Sequence, residues 1–325
     1  LINILFVFLQ FNIKNMTDDR KNIVLNTDSQ YVVHCCTMLT SLFENNKNCK
    51  FNIHVISEGL KKSVINDIKN LVENKYNQKL YLYIIDSEKL NYFPKYTNSH
   101  ISQAANYRLF VDKILPSDID KVLYLDCDLI VTKSLAPLWH IDISDCPIGA
   151  VEDMWSGKDD NYIRLGYDKK YGYFNSGVLL INLKWWRENN ICDKFIEYLK
   201  CHDNLKFVDQ DILNGMFYSS RKLIPFKWNV QDGFLRRKPK IRKSCIPTLQ
   251  NEIKSPAIIH YTGSRKPWDY DCINPYKERY FNYLDMTKWK NIRPDVPIKF
   301  KIKLMVDKVL YFLYLKPHKY IKISK

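Results

Sequence analysis

The run Val122-Leu123-Tyr124-Leu125 ends abruptly on Asp126-Cys127-Asp128. A short, dense apolar run bounded by charge reads as a buried strand. Two carboxylates at its end are costly to bury unless something pairs with them. Upstream, apolar runs alternate with segments of helical spacing. Strands are predicted over 22–27, 51–56, 81–85 and 121–125, and helices over 31–44, 61–74 and 103–111. This alternation predicts an α/β fold around a mostly parallel sheet. The second half is more mixed, with strands over 148–151, 177–181 and 257–260 and helices over 185–199 and 209–217. Its Pro- and Lys-rich stretch 219–256 reads as an irregular, substrate-facing loop region. Ligands of open α/β sheets bind outside the carboxyl ends of the strands. Thr27-Asp28, Asp126-Cys127-Asp128 and His260 all fall at such ends, which predicts one shared site.

In an extended chain, residues i and i+2 point the same way. Asp126 and Asp128 therefore face one cation, with Cys127 turned into the core. Two hard oxygen donors suit Mg²⁺ or Mn²⁺, with diphosphate oxygens completing the coordination. An Asp-x-Asp pair alone is a weak signal, and its position at the end of a buried strand strengthens it. His260 leads into Tyr261-Thr262-Gly263-Ser264-Arg265-Lys266. There Gly263 permits close backbone approach and Lys266 offers a point charge for phosphate. A nitrogen ligand from His260 tilts the site from Mg²⁺ toward Mn²⁺.

Further motifs follow one another in a fixed order. They are Ile23-Val24-Leu25 with Thr27-Asp28 and Tyr31, His100-Ile101-Ser102 before Tyr107-Arg108-Leu109, Asp120 through Asp128, Tyr173-Phe174-Asn175-Ser176-Gly177 through Leu183, Asp209-Gln210-Asp211-Ile212-Leu213-Asn214, and His260 to Trp268. From about Asn22 to Tyr283 the chain thus resembles the family 8 retaining glycosyltransferases, which include bacterial lipopolysaccharide α-galactosyl- and α-glucosyltransferases. The resemblance implies a nucleotide-diphospho-sugar transferase fold of the GT-A type, Rossmann-like, with Mn²⁺ held by Asp126, Asp128 and His260. It implies a nucleotide site of Asn26, Thr27, Asp28, Tyr31, Cys127, Gly263 and Lys266, with Tyr31 stacking on uracil. Arg108, Asn175, Ser176, Asp209 and Gln210 would surround the donor sugar. Gln210 would lie nearest its C1 with Asp209 beside it as the catalytic pair, and Asp153 would lie on the acceptor side. The implied reaction moves a hexose, galactose or glucose, from a UDP-sugar to a saccharide or glycolipid acceptor in lipopolysaccharide or other cell-surface glycan synthesis. The residues leave open whether a side chain attacks C1 or the acceptor enters on the departing face. Ser29, Gln30 and Asn106 depart from the common pattern and bear on donor preference rather than reaction class.

Two other functions compete. A non-catalytic sugar-nucleotide- or glycan-binding protein needs no intact metal triad. A metal-independent glycoside hydrolase needs only paired carboxylates, and neither His260 nor Lys266.

The formal net charge of +15 is concentrated. Residues 288–325 hold 11 Lys/Arg against 2 Asp, and Arg236 to Lys243 has six basic residues in eight. No nucleic-acid fold signature accompanies either block, so no nucleic-acid partner is expected. Residues 288–325 are read as a basic, amphipathic appendage to a catalytic domain of 16–287. Within it Lys299, Lys303 and Lys308 share one helical side, and Ile302, Met305, Val306, Val309 and Leu313 another. This pattern predicts an interfacial helix docking on an anionic membrane surface, hence a peripheral enzyme on the cytoplasmic leaflet. Nine scattered cysteines without a C-x-x-C pair argue against a zinc ribbon and a disulfide framework and suit a reducing cytosol. The apolar run 1–11 is shorter than the about 20 residues a spanning helix needs. Residues 1–15 are read as translated upstream sequence before a start at Met16.

Overall fold

The structure, a computed structural model, describes residues 20–85 and 103–323. The expectations for residues 1–15 and for His100-Ile101-Ser102 lie outside the described residues.

The strands are β1 (Lys21–Asn26), β2 (Phe51–Ser57), β3 (Lys79–Ile84), β4 (Lys121–Leu125), β5 (Leu129–Val131), β6 (Ile148–Glu152), β7 (Phe174–Asn182), β8 (Lys222–Leu223), β9 (Val230–Gln231) and β10 (Ile258–His260). Seven of them form one sheet in the order β3-β2-β1-β4-β7-β6-β8, and three form a small sheet in the order β5-β10-β9. β3, β2, β1 and β4 run parallel. β7 is antiparallel to both β4 and β6. The sheet is mostly parallel, as expected, with β7 as its reversed strand.

The helices are α1 (Val32–Glu44), α2 (Lys62–Lys69), α3 (Val111–Ile114), α4 (Ala136–Trp139), α5 (Asp159–Leu165), α6 (Leu183–Glu188), α7 (Ile191–Cys201), α8 (Val208–Phe217), α9 (Ile246–Glu252), α10 (Lys277–Leu284) and α11 (Ile298–Phe312). They cover both faces of the sheet with apolar side chains. Ile23, Leu123 and Leu125 pack on one side with Cys35, Met38 and Leu39 of α1. Val24, Val122 and Tyr124 pack on the other with Phe110, Trp186 and Ile212. Burial on both faces is why β4 is apolar throughout rather than alternating.

Three expectations change. The single helix expected over 185–199 is two, α6 and α7, because Asn190 adopts φ 51° and breaks the hydrogen-bond ladder. Asn tolerates this left-handed conformation better than most residues. The helix expected over 103–111 is a 3-10 turn, Gln103–Phe110, followed by α3. The stretch 219–256 is not only surface loop: Phe226, Trp228, Val230, Phe234 and Leu235 are core residues there, and α9 follows.

The segment after residue 287 stays in contact with the body of the protein. Lys288 Nζ pairs with Asp67 Oδ1 at 2.5 Å. After α11 the chain turns back, and Ile321 N donates to Leu235 O at 2.8 Å. Among the described residues no helix is long and apolar enough to cross a membrane.

Candidate active site

Asp126, Cys127 and Asp128 form the bend between β4 and β5, and this bend crosses from the large sheet to the small one. Asp126 N donates to Gly177 O of β7 at 2.9 Å, and Tyr261 N donates to Asp128 O at 2.9 Å. The two carboxylates share one side through this bend rather than through strand alternation. Cys127 is turned inward as expected, with its Sγ 3.2 Å from Asn26 O. All nine cysteines are free thiols.

His260 ends β10 opposite Leu129 and brings its imidazole to the same place. Its Nε2 lies 3.0 Å from Asp128 Oδ1 and 3.7 Å from Asp126 Oδ2. One ligand atom from each of Asp126, Asp128 and His260 fits within 4.8 Å of the others. A hydrogen-bond chain sets the imidazole tautomer. Gly177 N and Asn229 Nδ2 both donate to Asn175 Oδ1, at 3.0 and 2.8 Å. Asn229 is thereby oriented so that its Oδ1, 3.0 Å from His260 Nδ1, accepts from that nitrogen. His260 Nε2 then turns toward two carboxylates and needs a positive centre there, either a proton or a shared cation. Two carboxylate oxygens and an imidazole nitrogen are a fitting donor set for a divalent cation. Gly177 makes the room: a methyl group on it would lie 2.2 Å from His260 Cε1 and 2.5 Å from Asp126 Oδ2.

Lys266 closes the triad from outside, with Nζ 2.5 Å from Asp128 Oδ2 and 2.7 Å from Tyr261 O. Burial pushes the Asp128 carboxyl up, but the adjacent Lys266 and His260 more than reverse this and hold it well below the usual carboxylate range.

Next to the triad lies a buried polar cluster. Arg108, on the 3-10 turn, bridges two carboxylates: its Nη2 is 3.0 Å from Asp126 Oδ1 and its Nε 3.1 Å from Asp209 Oδ2. Its guanidinium lies over the Tyr124 ring, 4.4 Å from the centroid, and Tyr124 Oη donates to Asp126 Oδ1 at 3.0 Å. Ser176 Oγ donates to Asp209 Oδ2 at 3.0 Å. Gln210 Oε1 accepts from Asn175 Nδ2 and Ser176 N, both at 3.1 Å. Asp153, just beyond β6, accepts from Asn175 Nδ2 at 3.2 Å and from Trp155 N at 2.7 Å. Burial raises its carboxyl to about 6, and the donors from Trp155, Asn175 and Gln210 oppose that rise. Arg108, Asp153, Asn175, Ser176, Asp209 and Gln210 are thus one network. Asp211 points away from it and pairs with Arg164 beneath α8.

On the other side of Lys266, Thr27 is buried, and Asp28 Oδ1 accepts from Gln30 N and Tyr31 N at 2.8 and 2.9 Å. This turn starts α1. Tyr31 stands edge-on to Trp268, with centroids 6.0 Å apart, and Trp268 stacks on His34 at 3.4 Å. Burial, followed by nearby Asp128, raises the Tyr31 phenol, so it is neutral at physiological pH. Gly263 has no close neighbour: a methyl group there would meet nothing nearer than Asp232, at 3.6 Å. The backbone at Gly263 is thus open to a bound group, whereas Gly177 is the glycine packed against protein atoms.

The sequence expectations did not assign Gly177, Asn229, Tyr124, His34 or Trp268. A glycine inside a buried strand marks a close approach, and an Asn between Trp228 and Val230 marks a buried polar anchor. Both signals were present in the sequence.

A candidate cation triad beside a buried polar network, at the strand ends of a mostly parallel α/β sheet, is the arrangement of a GT-A-type glycosyltransferase. The chain belongs to glycosyl transferase family 8, whose profile matches residues 22–272. It is 31% identical over 282 residues to general stress protein A of Bacillus subtilis (strain 168), covering 85% of this chain and 96% of that protein. It is 32% identical over 295 residues to a lipopolysaccharide 1,2-glucosyltransferase of Escherichia coli, covering 85% of this chain and 81% of that enzyme. Among solved structures it is similar to the galactosyltransferase LgtC in complex with donor and acceptor sugar analogues. The TM-score is 0.75 and the identity 27%, with 87% of this chain and 99% of that one covered.

Proposed function

We propose that this enzyme transfers galactose or glucose from a UDP-sugar, with retention and with Mn²⁺ as cofactor, to a saccharide or glycolipid acceptor in cell-surface glycan synthesis. The observation that carries this reading is the double role of Asp126. Its Oδ1 is tied to Arg108 and Tyr124 in the sugar network, while its Oδ2 faces His260 in the cation triad. A group leaving as a metal-bound diphosphate and a sugar held by its hydroxyls would meet at that carboxylate.

Asp126, Asp128 and His260 would hold the cation, which supplies Lewis-acid neutralisation of the departing diphosphate. Lys266 adds a second positive charge on that side, and Thr27, Asp28 and Tyr31 hold the uridine, with Trp268 backing the Tyr31 ring. Asn26 and Cys127, joined by the Cys127 Sγ contact to Asn26 O at 3.2 Å, belong to the same side. Arg108, Asn175, Ser176 and Asp209 orient the sugar, and Gln210 presents its amide to the reacting face. Asp153 lies where the acceptor enters. Preorganised donors and charges of this kind act without reorganising as charge develops. The exposed α11 and its lysines would seat the enzyme on the anionic inner face of the cell membrane.

The test is UDP release from a panel of UDP-sugars with Mn²⁺ and no acceptor. Release from UDP-galactose or UDP-glucose is expected, and its collapse in Asp126→Ala. No release from any sugar, or release indifferent to that substitution, overturns the reading.

A further inference from the structure

The basic run from Arg236 to Lys243 takes no part in the network described so far, yet the fold fixes it beside Asp153. The turn after β6 carries Asp153, Trp155 and Gly157. Gly157 N donates to Lys240 O at 2.8 Å. Only glycine allows this contact, because a methyl group at 157 would lie 2.6 Å from Ile241 O and 2.7 Å from Lys240 O. Arg242 anchors the same run from its far side, with Nε 2.7 Å from Glu152 Oε1. The basic segment is therefore locked to the turn that bears Asp153.

Trp155 collects the charges. Lys158 Nζ lies 4.1 Å from its ring centroid, Lys240 Nζ 5.4 Å and the Arg236 guanidinium 5.5 Å. Arg236 is offset by Asp232 at 3.0 Å. Among the described residues, Lys158 and Lys240 form no ion pair. Asp159 and Asp160, which follow Lys158 in the chain, pair with Lys169 at 2.7 Å and Lys206 at 2.5 Å, and Lys158 reaches Asp160 only through space. Like charges gathered on one indole repel each other, and the ring quadrupole offsets this only in part. An anion arriving there relieves that repulsion. Trp155 N is itself bound to Asp153 Oδ1 at 2.7 Å, so the cations stand at the rim of the acceptor side.

We infer that Trp155, Lys158 and Lys240, with Arg236 behind them, form a subsite for a negatively charged group, a phosphate, on the acceptor saccharide. The acceptor is thereby an anionic glycan rather than a neutral one. This rests on the reading of Asp153 as the acceptor side.

The experiment is calorimetric titration of the full chain, saturated with UDP and Mn²⁺, with glucose 6-phosphate and with glucose. The wild type is expected to bind the phosphorylated sugar at least about tenfold more tightly, a margin that shrinks with salt. Lys158→Ala/Lys240→Ala is expected to abolish the margin, and Lys158→Arg/Lys240→Arg to restore it. An equal margin in the alanine variant, or none in the wild type, overturns the inference. Co-sedimentation with phosphatidylglycerol vesicles separates the two sources of phosphate. Unchanged vesicle binding in the alanine variant supports a glycan ligand. Lost vesicle binding with the sugar margin intact assigns the patch to lipid headgroups and overturns it. If UDP and Mn²⁺ do not bind at all, the donor reading has failed. The same titration without them then still decides whether the patch selects phosphate.

Discussion

Gly177 lies directly against His260: a methyl group on its α-carbon would stand 2.2 Å from the imidazole Cε1, with Asp126 Oδ2 only 2.5 Å away. β7 is hydrogen-bonded along its length to β4 and β6, so its backbone has little freedom to retreat. In Gly177→Ala the imidazole must move, and with it one of the three proposed ligands. Mn²⁺ affinity, followed by electron paramagnetic resonance, is expected to fall about 10–100-fold, the scale of a displaced ligand support. Far-ultraviolet dichroism should be preserved. Unchanged affinity would mean that His260 is not a ligand.

Asn229 tests the tautomer. It accepts from His260 Nδ1 at 3.0 Å while its amide nitrogen donates to Asn175 Oδ1 at 2.8 Å. Asn229→Asp keeps the acceptor and loses the donor, whereas Asn229→Ala loses both. The alanine variant is expected to lose about 10–100-fold in Mn²⁺ affinity and the aspartate variant less. Equal losses would show that the link to Asn175, not the acceptor on His260, is what matters.

These two residues also mark what the sequence could and could not carry. Asp126, Asp128 and the core-facing Cys127 were legible because a local apolar run places them. His260 and Lys266 were legible because a short strand and a Gly-Ser-Arg-Lys turn lie together in the chain. Asn229 reaches His260 across 31 positions and Asn175 across 54, separations at which no local pattern speaks. The reversal of β7 was hidden for a related reason. A strand buried on both faces is apolar throughout and carries no periodicity that reports its direction. The break at Asn190 depends on one left-handed residue inside an otherwise helical pattern.

Asp211 sits in the same motif as Asp209 and Gln210 but serves the fold. Its side chain is fully buried and pairs with Arg164, whose side chain is 3% exposed. It also accepts from Tyr173 Oη at 2.7 Å and from Lys206 N and Phe207 N at 2.7 and 2.9 Å, at the start of α8. Asp211→Ala leaves the guanidinium buried without its partner, at a cost of about 3–5 kcal/mol. Urea unfolding should show a correspondingly lower midpoint. A shift below about 1 kcal/mol, the level of exposed pairs, would contradict the burial of this one.

His54 gives the fold an acid limit. It lies in β2 with Nδ1 3.0 Å from Tyr83 Oη and Nε2 3.2 Å from Asn22 Oδ1, and burial lowers it to about 3. The unfolded chain takes up a proton as pH falls through the ordinary histidine range, while the folded chain resists until near its own lower value. Stability therefore declines as pH drops, by about 2 kcal/mol from this group between about pH 7 and 5. His34, lowered to about 4 by burial, acts in the same direction. Asp112, raised to about 6 by burial, acts in the opposite one. Both cancel when wild type is compared with His54→Gln, whose unfolding free energy should fall less steeply over that interval. Parallel curves would remove His54 as the cause.

The helix α11 has no buried residue, yet the structure holds both of its ends. Phe300 stands edge-on to Tyr270 at 5.4 Å, and beyond the helix Arg237 N and Lys319 O are 3.2 Å apart in a short antiparallel bridge. Along α11 Ile298, Ile302, Met305, Val306 and Val309 lie on one helical side, each at least half exposed. Lys299, Lys301, Lys303 and Lys308 flank them. An apolar stripe rimmed by lysines is the feature on which the proposed insertion into an anionic lipid surface rests. Replacing Ile302, Met305 and Val309 with serine removes transfer energy of about 25 cal/mol per Å² from any such insertion. Partition onto phosphatidylglycerol vesicles should fall at least about tenfold, and UDP release in solution should persist, since the stripe touches none of the triad. Vesicle binding that survives the three serines but vanishes at high salt would leave only the lysines as the anchor. Binding that survives both would remove α11 from the membrane.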